Sequence, residues 1–142
     1  MTEIDFYTQV SDKLALVGVL CAKAVSRGLR IHVDTPDAET TAKLDKLLWQ
    51  TPATGFLPHC LSNDALADVT PIIVDHHGTH FSHDQILINL RNPLPEYFSR
   101  FERLLEIVGV DEQDKIHARE RFRFYKDRGY LIRTHDLKSG LT

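Results

Sequence analysis

The sequence contains few cysteines and no long apolar run. Its 142 residues include two cysteines, Cys21 and Cys60, far apart in the chain. A disulfide scaffold needs a denser pattern, so we expect free thiols, with Cys21 buried and inert. The longest apolar stretch, residues 14–22, is too short for a membrane span, which needs about 20 residues. The start of the chain is acidic and lacks the basic region of a signal peptide. We therefore expect a cytoplasmic protein.

The sequence also lacks glycine-rich phosphate loops. Its seven glycines are isolated and form neither a GxGxxG nor a GxxxxGK[ST] motif. Those motifs let the backbone close on phosphate groups. We therefore expect no nucleotide, and the sequence indicates no other cofactor.

The charge is unevenly distributed. Residues 115–133 hold seven Lys or Arg against two acids, whereas the rest of the chain holds ten against eighteen. A protein that wraps duplex DNA is usually basic over a broad face. One basic strip on an acidic protein favours a discrete acidic ligand instead.

The first third of the chain reads as a strand, a helix and a second strand. Asp12 predicts the cap of a helix over residues 13 to about 27, and Gly28 ends it. Strand-like runs flank this helix at residues 4–7 and 29–33. This βαβ pattern predicts a parallel strand pair with a right-handed crossover.

The remaining pattern continues the alternation of helices and strands. Residues 37–50 predict a helix, residues 51–68 an irregular segment, and residues 72–74 and 86–90 central strands. Helically spaced apolar residues predict a helix over about 96–108. A last helix is predicted over 112–128 and a strand over 130–133. We therefore expect a three-layer α/β/α sandwich with a mostly parallel, Rossmann-like sheet, as a single domain over residues 1–142.

One candidate active site is rich in histidine. Asp75, His76 and His77 follow a buried strand and resemble the motif of the DHH phosphoesterases, which use two metal ions. His83 and Asp84 would complete the set. The family's early Asp-x-Asp pair is absent, and these histidines lack structural-zinc spacing. The alternatives are a small metal-dependent phosphoesterase and an exposed polar loop that binds no metal.

A second candidate lies on the last helix. Helical spacing places Lys115, Arg119, Phe122 and Lys126 in a narrow arc. Cations around an aromatic ring suit a ligand with carboxylates and an apolar group. The alternative is a solvated basic face with Phe122 in the core.

A third candidate is aromatic. Trp49 ends a predicted helix, and Phe56 and Pro58 follow in the irregular segment. Such clusters are typical of protein-binding surfaces, although the same residues could simply cover a sheet edge.

Several segments together resemble one known family. They are residues 119–130 (RERFRFYKDRGY), 44–49 (LDKLLW), 56–59 (FLPH), 86–90 (ILINL) and 99–103 (SRFER). In order and spacing they resemble the chi subunit of bacterial DNA polymerase III, over essentially the whole chain. The resemblance implies a non-catalytic accessory subunit of the clamp-loader complex, with no metal and no direct tight binding to nucleic acid.

The resemblance also implies two partners. One is the psi subunit, which tethers chi to the clamp loader; the other is the acidic C-terminal tail of single-stranded DNA-binding protein. The family's tail-binding positions match Lys115, Arg119, Phe122, Val108 and Lys126. Its psi-binding positions match Trp49, Phe56 and Pro58.

Overall fold

The computed structural model describes residues 1–50, 58–62, 64–77, 81 and 83–137. Within these residues the strands are β1 (Glu3–Val10), β2 (Ile31–Asp34), β3 (His59–Leu61), β4 (Ile72–Asp75), β5 (Ile86–Asn89), β6 (Arg103–Gly109) and β7 (Ile132–Asp136). The α-helices are α1 (Lys13–Ser26), α2 (Ala38–Trp49) and α3 (Glu112–Asp127). The strands form one sheet in the order β3-β4-β2-β5-β6-β1-β7, and every neighbouring pair is parallel.

Helices cover both faces of the sheet. On one face, Leu16 and Val17 of α1 and Leu44 of α2 pack against alternate strand residues such as Val33. On the other face, Tyr125 of α3 and the segment over residues 92–102 cover the remaining strand side chains. The predicted three-layer α/β fold with a Rossmann-like parallel sheet is confirmed.

Local signals place the helix ends as the sequence predicted. The Asp12 carboxylate accepts a hydrogen bond from the backbone N–H of Ala15 at 3.1 Å and caps α1. Gly28 and Gly129 follow α1 and α3 with φ of +73° and +82°. Both glycines adopt a left-handed conformation that residues with a Cβ atom avoid.

The predicted helix over residues 96–108 is wrong. A short 3₁₀ turn, Phe98–Arg100, is followed by β6, which lies between β5 and β1 near the middle of the sheet. From residue 104 to residue 109 the strand is buried on both faces, so its apolar residues are consecutive as well as helically spaced. Periodicity alone does not separate such a strand from a buried helix.

Two other predictions need correction. β1 and β2 are parallel members of the sheet but not a pair, because β5 and β6 lie between them. The segment predicted to be irregular contains the edge strand β3 and a short 3₁₀ turn, Ala67–Val69. A crossover helix makes the next strand parallel to the first, but it does not fix how many strands lie between the two. The βαβ pattern therefore could not predict that β1 and β2 are not neighbours.

A row of buried polar side chains crosses four adjacent strands on the sheet face that α3 partly covers. Asp75, Asp34, Asn89 and Glu106 occupy matching register positions on β4, β2, β5 and β6. The Glu106 carboxylate accepts hydrogen bonds from three side chains: Arg121 at 3.1 Å, Tyr125 at 2.7 Å and Asn89 at 2.9 Å. The Arg121 and Tyr125 contacts fix the orientation of α3 on the sheet.

Two further expectations concern the thiols and the membrane. Cys21 and Cys60 are free, and burial raises the pKa of the Cys21 thiol to about 12. This agrees with a buried, inert thiol. Among the described residues, no helix has the length and apolar character of a membrane span.

Candidate partner-binding site

A concave pocket of about 250 Å³ lies between α3 and the end of the sheet formed by β1, β6 and β7. Its walls come from α3, from the end of β6, and from β1 and β7. The lining residues are Phe6, Thr8, Gln9, Val108, Gly109, Lys115, Ala118, Arg119, Phe122 and Thr134.

The orientation of α3 directs its basic arc toward this pocket. Ala118, Arg121 and Tyr125 form the buried side of the helix. Lys115 and Arg119 lie on another side, where they border the pocket. Because Arg121 and Tyr125 are anchored on Glu106, α3 is held in the orientation in which Lys115 and Arg119 border the pocket.

A β-bulge in β1 forms part of the opposite wall. Tyr7 pairs with Ile107 and Val10 with Gly109, so Thr8 and Gln9 together stand opposite the single residue between them on β6. Bulges bend a strand and redirect its side chains. Here Thr8 and Gln9 line the pocket.

The pocket carries positive charge that the described part of the chain does not neutralise. Neither Lys115 nor Arg119 makes an ion pair with a described residue. Other cations in and around the sheet do: Lys13 contacts Asp114 at 2.7 Å, for example. Two unpaired cations beside an apolar floor suit an anionic ligand with an apolar group.

The sequence allowed two positions for Phe122, on a ligand-binding face or in the core, and the structure shows features of both. Its ring is half-buried and packs edge-on against Phe6, with ring centroids 5.3 Å apart. It also lines the pocket, so the exposed part of the ring is available to a ligand. The predicted tail-binding residues Lys115, Arg119, Phe122 and Val108 therefore meet at one site. Lys126 is exposed one helical turn beyond Phe122 and does not line the pocket.

The edge strand beside the pocket is held by a buried carboxylate. Asp5 on β1 is 1% exposed and accepts hydrogen bonds from Arg103 on β6 and from Arg133 and His135 on β7. Burial acts to raise the pKa of Asp5, but these three hydrogen bonds together outweigh it and hold the pKa at about 2. The cluster fixes β7, and with it Thr134 at the pocket.

The aromatic candidate lies on another surface. Trp49, at the end of α2, is 59% exposed, and its ring meets that of His59 edge-on with centroids 5.6 Å apart. His59 Nε2 in turn lies 2.9 Å from an Asp45 carboxylate oxygen. Pro58 is exposed immediately before β3, and Phe56 lies outside the described residues. Trp49 is therefore an exposed aromatic side chain with a fixed neighbour.

The pocket and the Trp49 surface lie toward opposite edges of the sheet. β3 is an edge strand, and β1 is five strand positions away. At about 4.8 Å per strand this separation is ~24 Å. Two partners could occupy these surfaces at the same time.

The structure does not bring the predicted phosphoesterase residues together. Asp75 ends β4, and His76 and His77 follow it at the C-terminal edge of the sheet. His83 donates a hydrogen bond to the carbonyl of Thr70, at the other end of β4, about 16 Å away along the strand. Asp84 also lies at that end, just before β5. Among the described residues, no group of three or more His, Cys, Asp or Glu is arranged to hold a metal ion.

Sequence reasoning did not find the strand side of the pocket. Phe6, Thr8, Gln9 and Thr134 come from β1 and β7 and line the pocket only because β1 lies beside β6 and β7 lies beside β1. No local motif marks them. The one relevant signal is the apolar–polar–apolar alternation of Ile4, Asp5 and Phe6, which is common to many strands.

Comparison with known proteins identifies the family of the chain. Residues 1–133 match the family model described as "DNA polymerase III chi subunit, HolC". The chain is 33% identical to DNA polymerase III subunit chi of Pseudomonas aeruginosa, over 96% of this chain and 98% of that protein. It is 28% identical to the Escherichia coli K12 protein of the same name, over 92% of each chain. For the Haemophilus influenzae protein of that name the identity is 27%, over 83% of each chain. The chain therefore belongs to the DNA polymerase III chi subunit family, the accessory subunits of the replicative polymerase.

Proposed function

We propose that this chain is an adaptor that links the clamp-loader complex to the C-terminal tail of single-stranded DNA-binding protein and has no active site of its own. The observation that carries the proposal is the pocket beside α3, in which Lys115 and Arg119 border an apolar floor and make no ion pair with any residue that the structure describes. A tail that is acidic, ends in an aromatic residue and carries a free carboxylate complements this pocket in charge and polarity.

The chemistry of the pocket supports each part of such a ligand. The Arg119 guanidinium can hold a carboxylate with two parallel hydrogen bonds, and Lys115 adds a second charge-assisted donor. Each such bond contributes about 1.5–3 kcal/mol. Burial of an aromatic ring against Val108 and Phe122 contributes about as much. Ordering a flexible tail opposes these gains, so we expect roughly micromolar affinity.

The test of the tail-binding site is a calorimetric titration with the acidic C-terminal peptide of the same organism's single-stranded DNA-binding protein. We expect Arg119→Ala to abolish measurable binding without unfolding the domain, and Lys115→Ala to weaken it strongly. Arg27→Ala is the matched control, because it removes the same charge from an exposed position after α1. Normal binding by both pocket variants would show that the site assignment is wrong.

Salt dependence gives an independent check. Added salt screens exposed charges, so the affinity of the unmodified protein should fall as NaCl rises from about 0.05 to 0.5 M. Lys115→Ala should show a smaller fall, because it has lost one of the charges involved. Tight binding of a bare oligonucleotide by the same protein would favour direct nucleic-acid binding over tail capture.

We propose that the Trp49 surface binds the psi subunit. An exposed Trp in contact with His59, which an exposed Pro58 precedes in the chain, is typical of a protein-binding surface. Its position toward the other sheet edge leaves the tail pocket accessible when psi is bound. We include Phe56 in this surface on the resemblance alone.

Co-purification with co-expressed psi tests this second surface. Trp49→Ala and Phe56→Ala should lose psi and keep the tail peptide, whereas Arg119→Ala should keep psi and lose the peptide. This reciprocal pattern separates two binding surfaces from general destabilisation, which would weaken both interactions. Retention of psi by both aromatic variants would place the psi contact elsewhere.

A further inference from the structure

The strand wall of the pocket contains an unusual backbone conformation. Gln9 has a φ of +58°, and it is the one non-glycine residue with positive φ in the part of the chain that the structure describes. A Cβ atom makes this left-handed region unfavourable, and glycine is its usual occupant. Strained residues persist mainly where the surrounding structure enforces them, and they are common at functional sites.

The β-bulge explains how Gln9 is held there. Thr8 and Gln9 together occupy the register space of one residue between the flanking pairs with β6. The carbonyl of Thr8 accepts a hydrogen bond from Leu137 N–H at 2.9 Å, after β7. The bulge is thus fixed from both sides. It places Gln9 in the strand wall of the pocket, whereas Lys115 and Arg119 line the pocket from α3.

We infer that Gln9 is a specificity-determining residue that recognises the main chain of the bound tail. The inference rests on the proposed tail-binding function. The side chains of Lys115 and Arg119 can only donate hydrogen bonds, so they bind acceptors such as carboxylates and carbonyls. A carboxamide both donates and accepts, and it can pair with the N–H and C=O of a peptide unit. Gln9 pairs with the peptide unit that precedes the terminal residue, while the cations hold the terminal carboxylate.

Two substitutions test whether Gln9 contributes to binding of the tail or only to the fold. Gly adopts φ near +58° without strain, so Gln9→Gly should unfold at an unchanged or slightly higher temperature. The same variant should bind the tail peptide roughly 2- to 10-fold more weakly, as expected for one lost neutral hydrogen bond. Gln9→Asn is a second variant, because Asn tolerates the left-handed region but has a shorter side chain. It should fold normally and also bind more weakly.

Gln113→Ala serves as the matched control. Gln113 is exposed in the first turn of α3, outside the residues that line the pocket. Its loss removes the same carboxamide group and should leave the affinity unchanged.

A modified peptide tests the specific contact. Methylation of the nitrogen that joins the last two residues removes the N–H that Gln9 is proposed to recognise. This change should weaken binding to the unmodified protein by roughly the same 2- to 10-fold. It should have little further effect on Gln9→Gly, because the two changes remove the same hydrogen bond.

The outcomes distinguish this inference from the proposed function. If Arg119→Ala loses the peptide but Gln9→Gly binds it normally, the role of Gln9 is overturned and tail binding stands. Equal losses on methylation in both proteins would also overturn the role of Gln9. If Arg119→Ala binds normally, tail binding at this pocket is wrong, and the inference about Gln9 is wrong with it.

Discussion

Replacement of Asp5 by Asn should destabilise the protein at neutral pH and have little effect in strong acid. Asp5 is buried on β1 and is the shared acceptor for Arg103, Arg133 and His135 on the two neighbouring strands. Asn keeps the shape of the side chain but removes the charge. Arg103 and Arg133 would then lose the carboxylate that they share, and β7 would lose its side-chain attachment to Asp5 while keeping its backbone pairing with β1.

The magnitude follows from the pKa of Asp5. Its value is about 2 in the folded protein, against 3.8 for an unperturbed carboxyl. One pKa unit corresponds to 1.36 kcal/mol, so the charged form contributes about 2 kcal/mol to the free energy of unfolding. Because the folded pKa is depressed, this contribution is present above pH ~4. It is lost as the pH falls toward 2, and about half is left at pH ~3.

Urea titrations between pH 7 and pH 3, followed by the fluorescence of Trp49, measure this contribution. With a slope of about 2 kcal/mol per molar urea, Asp5→Asn should lower the midpoint at pH 7 by about 1 M. At pH 3 the difference should be about half as large. Asp127→Asn is the control, since Asp127 is exposed at the end of α3 and its replacement should change stability by less than about 0.5 kcal/mol.

Two results would refute this reasoning. One is an Asp5→Asn protein whose free energy of unfolding at pH 7 equals that of the unmodified protein. The other is a difference of the same size at pH 7 and pH 3, which would mean that Asn disturbs packing and that the carboxylate charge is not responsible.

Three other predictions concern stability and reactivity. Glu106→Ala leaves the Arg121 guanidinium buried without its carboxylate and should lower the free energy of unfolding by about 3–5 kcal/mol in urea. Adding Arg121→Met should recover part of that loss, and no recovery would argue against a buried ion pair. Gly129→Ala should lower the free energy of unfolding by about 1 kcal/mol, because residue 129 has a φ of +82°. An unchanged melting temperature would contradict this. A thiol reagent should label Cys60 in the folded protein but Cys21 only after unfolding; rapid native labelling of Cys21 would disprove its burial.

Much of the local structure was predictable because its causes lie within a few residues. The Asp12 cap and the glycines after α1 and α3 act through hydrogen bonds and dihedral angles of the adjacent turn. The basic arc of α3 likewise depends only on helical spacing. β6 was misread because its buried apolar run fits both a helix and a central strand.

The candidate site also has one part that the sequence predicted and one part that it did not. Lys115, Arg119 and Phe122 were identified from one helix and from the family resemblance. Thr8, Gln9 and Thr134 were not, because they meet α3 through pairings between residues about 100 positions apart or more. The bulge at Gln9 exists only in the pairing of β1 with β6, and no local sequence pattern predicts which strand pairs with β1.

The sequence by itself determined the α/β class, the boundaries of α1, α2 and α3, the basic arc on α3 and the family. These follow from local hydrogen bonding, from side-chain periodicity, and from segments that resemble one family in order and spacing. Only the tertiary structure decided the strand order, the counter-ion cluster around Asp5 and the pocket that combines α3 with β1 and β7. Those features depend on contacts between distant segments, whose free energies are set by how the sheet assembles and not by any one stretch of sequence.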